Sequence, residues 1–107
     1  MSTSFAVFER SLSRSKPPAG LSAALAALWW ASKGDWETAH GIVMDDDGKD
    51  CAWVHAYLHR AESDLSNARY WYSRAGKPVG TGALEAELRA ITTVLLGARP
   101  GRRRPSP

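Results

Sequence analysis

Two histidines four residues apart, His55 and His59, are the pair in this sequence best spaced to do chemistry together. On a helix that spacing puts both imidazoles on one face, and His-x3-His can supply two ligands to a metal ion. Further ligands would come from His40, Glu62 or Asp64. The pattern lacks the Glu directly after the first His that marks zinc hydrolases. The plainer reading is a pair of structural histidines that pack beside tryptophans and hydrogen-bond to backbone or carboxylate. On that reading the site is expected to hold no metal, and the chain to carry no cofactor.

The other constellations are weaker. The acidic run from Asp45 to Asp50 suggests calcium, but a loop starting at Asp45 places Lys49 at position 5 and Asp50 at position 6, where an oxygen ligand and Gly are needed. It reads as a solvated turn. Gly76 to Gly82 has the composition of a phosphate loop without its order, because no Gly-Lys-Ser/Thr opens the following helix. It reads as a flexible connector whose free amides could hold an anion at the next helix start. Cys51, the single cysteine, reads as a small buried hydrophobe. No nucleophile-and-base arrangement emerges from spacing, so the reading favours a protein that is not an enzyme.

Aromatic side chains are the remaining oddity. The sequence has 5 tryptophans, and Trp29-Trp30 and Tyr70-Trp71-Tyr72 are consecutive, so on helices they cannot all face inward. Some of Trp30, Tyr70 and Trp71 should be exposed or line a groove. With Arg60, Arg69, Arg74 and the two histidines they would form an aromatic-basic surface suited to a peptide or an acidic ligand. The binding residues expected are therefore His55, His59, Arg60, Tyr70, Trp71 and Arg74. The function expected is a non-catalytic protein- or peptide-interaction module. The alternative is a small ligand- or metal-binding protein, or an enzyme, built on His55 and His59.

The elements that must position these residues are helical. Apolar residues at i, i+3 and i+4 spacing predict helices over about Leu21–Ser32, Trp36–Met44, Asp50–Ala61, Leu65–Ala75 and Ala83–Leu96. Gly34 suits the left-handed residue after the first, and Asp35, Asp50 and Asp64 suit N-caps. The expected fold is all-α, with two antiparallel helix hairpins and a C-terminal closing helix. Residues 1–19, serine-rich and ended by Pro17-Pro18, read as a flexible leader, in which Phe5, Val7, Phe8 and Leu12 could form one or two amphipathic turns that dock on the domain. Residues 20–98 read as the helical domain, and 99–107 as a disordered basic tail.

A shift of 29 residues brings Ala27 onto Ala56, Asp35 onto Asp64, Trp36 onto Leu65 and Ala39 onto Ala68. A turn lets two helices meet, Asp satisfies the free amides of the second, and Ala lets the helices approach closely. The stretch from Asp64 to Ala75 resembles the second helix of a tetratricopeptide or Sel1-like repeat, and Gly34 to Ala39 its degenerate partner. The resemblance covers about Leu25 to Pro78, at a period shorter than the usual 34 residues. It implies a protein-interaction role. The string from Trp53 to Arg60, followed by Asn67-Ala68 and Tyr70-Trp71-Tyr72, also resembles a group of short, uncharacterised bacterial proteins with the same helical pattern, a likeness that implies no particular activity.

Composition sets the outer bounds. A length of 107 residues fits one domain. The net charge of +3 is located in the tail, because setting aside Arg99, Arg102, Arg103 and Arg104 leaves 10 basic against 11 acidic groups. A folded surface that is nearly neutral argues against a nucleic-acid-binding domain, leaving only weak contact through the tail. The apolar run from Ala23 to Ala31 is too short to cross a membrane, and a single cysteine fits a reducing cytoplasm.

Overall fold

The computed structural model describes residues 4–97, and every regular element among them is an α-helix: α1 (Phe5–Ser11), α2 (Ala23–Ser32), α3 (Trp36–Met44), α4 (Lys49–Ala61), α5 (Leu65–Ala75) and α6 (Leu84–Gly97). The all-α class expected from periodicity holds. Helix α2 is apolar all round from Ala23 to Ala31, as a buried helix must be, and Ala24, Leu25, Ala27, Leu28 and Trp29 are buried. Helix α4 is the centre of the molecule, packed against α2, α3, α5 and α6. Its Val54 and Leu58 join Leu25, Leu28, Trp29, Ile91 and Leu96 in one core. Burying each such large side chain stabilises the fold by roughly 1.5–3 kcal/mol.

The 29-residue repeat is visible in the backbone. After α2, Gly34 takes φ 85°, Gly34 N–H bonds Ala31 O at 3.0 Å and Asp35 N–H bonds Trp30 O at 2.9 Å. After α4, Ser63 takes φ 68°, Ser63 N–H bonds Arg60 O at 3.0 Å and Asp64 N–H bonds His59 O at 2.8 Å. Both are Schellman closures. Asp35 then accepts from Thr38 N–H and Asp64 from Asn67 N–H, with φ −97° and ψ 78° at the first and φ −94° and ψ 78° at the second. Ala27, Ala56, Ala39 and Ala68 are all buried where the helices meet.

Within the segment read as a leader, the amphipathic turns are formed and docked: α1 is capped by Ser4, whose side chain accepts from Val7 N–H, and Phe8 is buried. Trp29 Nε1 donates to Ser11 Oγ at 3.0 Å, and Lys33 Nζ donates to the carbonyls of Leu12 and Arg14 at 2.6 and 2.9 Å. Three apolar side chains, Phe5, Phe8 and Leu12, pack on the core and outweigh the serine-proline composition. The N-cap of α4 is Gly48 rather than Asp50, and it makes no side-chain cap bond. Asp46 Oδ1 instead accepts from Gly48 N–H at 2.8 Å, an Asx-type turn that starts the helix early. The basic tail, 99–107, and any nucleic-acid contact through it lie outside the described residues. No helix is long and apolar enough to cross a membrane among the described residues.

Candidate functional site

Three imidazoles meet where α3 crosses α4. His40 follows Trp36 by one helical turn, and the two rings stack with centroids 4.5 Å apart. His55 and His59, one turn apart on α4, stack at 4.9 Å. The far wall comes from α5, whose Trp71 stacks on His55 at 4.0 Å and an interplanar angle of 14°. His55 Nε2 lies 3.1 Å from His40 Nε2, a hydrogen bond that requires one ring to donate and the other to accept, hence at least one neutral ring. His59 Nδ1 is 2.9 Å from Glu62 Oε2 and 3.9 Å from Asp64 Oδ2. One ligand atom from each of His40, His55 and His59 fits within a 4.8 Å span, as does a second set from His59, Glu62 and Asp64.

Burial sets the electrostatics. His55 is 5% exposed and His59 8%. Desolvation, with His40 and His59 as like-charge neighbours, pushes the His55 imidazole down to about 4. Desolvation first, then His59, also lowers His40. Both rings are therefore held neutral at pH 7. Asp64 is held below the usual carboxylate range, chiefly because Asn67 donates to it. Cys51 is buried, and desolvation followed by Asp46 and Asp50 pushes its thiol up to about 12, so it is no nucleophile at neutral pH.

The six residues expected to bind do not share one surface. His55, His59 and Trp71 come together in the cluster above. Arg74 lies over the Trp71 ring, 5.5 Å from its centroid, and Tyr70 meets Trp71 edge-on while remaining 53% exposed. Arg60 is on the other side. It bonds Glu87 Oε1 of α6 at 2.6 Å and the Gly82 carbonyl. The hydroxyl of Tyr72 donates to the other oxygen of the same carboxylate. Glu87 is thus the side chain that the sequence reading missed. It stands 27 residues from Arg60, and no local spacing links the two.

This network pins the loop 76–83, expected as a flexible connector, against α4 and α5. Between that loop and α5 it leaves a groove of about 420 Å³, lined by Arg60, Leu65, Ala68, Arg69, Val79 and Leu84 among others. Leu65, Val79 and Leu84 are exposed there. No carboxylate lines the groove among the described residues. A second crevice of about 440 Å³, under α1, is bordered by Glu9, Glu85 and Arg89 and so has mixed charge.

No protein-family model, curated protein or solved structure matches the chain. The functional reading therefore rests on the geometry of these residues.

Proposed function

We propose that the protein is a non-catalytic binding module whose groove along α5 receives a peptide segment carrying an apolar side chain beside a carboxylate. The observation that supports this most is the lining of that groove. Leu65, Val79 and Leu84 offer exposed apolar surface at its edges, Arg69 adds a positive charge, and no acidic side chain lines it among the described residues. Its volume of about 420 Å³ falls in the range that holds one or two side chains of a bound segment. Apolar contact would supply affinity, and the guanidinium of Arg69 would fix register by a charge-assisted bond. Arg60 is already engaged by Glu87, so its role is to hold the groove wall.

The test uses two fluorescent peptides of equal length, one with Leu and Glu alternating and one with Leu and Lys. The acidic peptide should bind in the micromolar range and shift amide resonances of α5 and of the loop 76–83. Arg69→Glu should reverse the preference, and Leu84→Asp should abolish binding. Equal binding of both peptides, or binding that Arg69→Glu leaves unchanged, overturns the reading. Salt-dependent binding of an oligonucleotide that survives in Arg69→Glu would move the interaction to the tail.

A further inference from the structure

The geometry points to a second site, distinct from the groove: His40, His55 and His59 form a three-imidazole centre for a divalent transition-metal ion of the zinc type. Imidazole nitrogen is a ligand that zinc, copper, nickel and cobalt all accept. A tetrahedral zinc centre with bonds of about 2.0–2.1 Å sets its nitrogens roughly 3.3 Å apart. His40 Nε2 and His55 Nε2 already stand 3.1 Å apart, and one ring nitrogen from each of the three imidazoles lies within 4.8 Å of the others. Small side-chain rotations close that remaining gap.

Two further observations fit a metal better than a merely packed cluster. Glu62 Oε2 stands 2.9 Å from His59 Nδ1, an acceptor for that nitrogen when Nε2 turns to an ion. A carboxylate–histidine–metal relay of this kind is the usual second support of an imidazole ligand. Trp36 and Trp71 stack on His40 and His55, so two of the three rings are held in place by aromatic neighbours. His40, only half-buried, gives the ion its route from solvent. The fourth position falls to a water or an incoming ligand, as in zinc centres with three protein ligands.

The experiment is a titration of the untagged full chain, freed of metal by a chelator. Zn²⁺ is followed by calorimetry and Co²⁺ by its visible absorption. The expected result is one ion per chain at micromolar affinity or tighter, with the intense bands of four-coordinate Co²⁺. Glu62→Gln should weaken Zn²⁺ binding roughly 10–100-fold, and His40→Gln should weaken it further. Glutamine at position 40 can still bond His55, and circular dichroism checks that both variants remain helical. The inference is overturned if the wild-type chain takes up no stoichiometric Zn²⁺ at micromolar ion. It is equally overturned if a helical His40→Gln binds as tightly as wild type. Peptide binding in the groove should be unchanged by His40→Gln, so the two sites succeed or fail separately.

Discussion

The helix pairs α2–α3 and α4–α5 share one turn, one Asp cap and one set of alanines, yet they carry different side chains on that frame. At the 29-residue shift, Ala26 corresponds to His55, Trp30 to His59, Ala31 to Arg60, Ile42 to Trp71 and Val43 to Tyr72. The first pair is filled with apolar side chains where the second holds the imidazoles, the guanidinium and the phenol. Leu25, Leu28 and Trp29 of the first pair are fully buried. Purely apolar burial thus marks α2, and the polar groups gather on α4 and α5 beside the apolar core residues of α4. The seam between the pairs is where His40 of the first meets His55 of the second. Two copies of one frame allow this division, because a buried polar group needs partners that only one copy supplies.

The largest test of that division is Glu87→Ala. The carboxylate sits between Arg60 and Tyr72 with 10% of its side chain exposed, against 14% for Arg60. Removing it leaves a half-buried guanidinium without its counter-charge and with only the Gly82 carbonyl as partner, at a cost of about 1–3 kcal/mol in urea unfolding. Glu87→Gln keeps an acceptor and should cost less. In the first pair no such network exists at the corresponding positions, and a comparable loss there requires an apolar truncation such as Leu28→Ala, about 2–5 kcal/mol. A Glu87→Ala variant as stable as wild type would mean that the second pair is held by apolar packing like the first.

How much of this was legible in the sequence follows from the range of the interactions. Helices α3 and α5 could be bounded from their caps and periodicity, because Asp35, Asp64 and Gly76 act within four residues. The placing of His55 and His59 on one helix face was legible for the same reason. Their surroundings were not. Whether Arg60 turns toward Trp71 or toward α6 depends on Glu87, and whether Leu65 is covered depends on where the loop 76–83 lies. Helix α1 was legible only as a short amphipathic pattern in Phe5, Val7, Phe8 and Leu12, since the docking energy of Phe8 comes from helices far along the chain.

The two turns offer a smaller and cleaner comparison. Gly34 and Ser63 occupy the same left-handed position. A Cβ built on Gly34 meets nothing within 4 Å, so Gly34→Ser should cost only the backbone preference, about 1–2 kcal/mol. The caps that follow should be equivalent. Asp35→Ala and Asp64→Ala each remove a carboxylate that accepts from a backbone amide and from a side chain, Thr38 in one and Asn67 in the other. Each is expected to cost about 1 kcal/mol. A much larger loss at Asp64 alone would show that its 3.9 Å approach to His59 contributes more than the cap.

The reciprocal substitution is Ser63→Gly. Ser63 is the only non-glycine with positive φ among the described residues, and a left-handed L-residue costs roughly 1–2 kcal/mol relative to its ordinary conformation. Glycine removes that strain but gives the unfolded chain more freedom to lose on folding, which takes back part of the gain. The balance is a stabilisation of about 0.5–1 kcal/mol, readable as a higher urea midpoint at unchanged slope. If Ser63→Gly instead destabilises, the second turn is held by contacts of the serine side chain that the first turn lacks. Ser63 borders the groove, so that result would join turn geometry to peptide binding, and the two helix pairs would differ in their turns as well as in the side chains they carry.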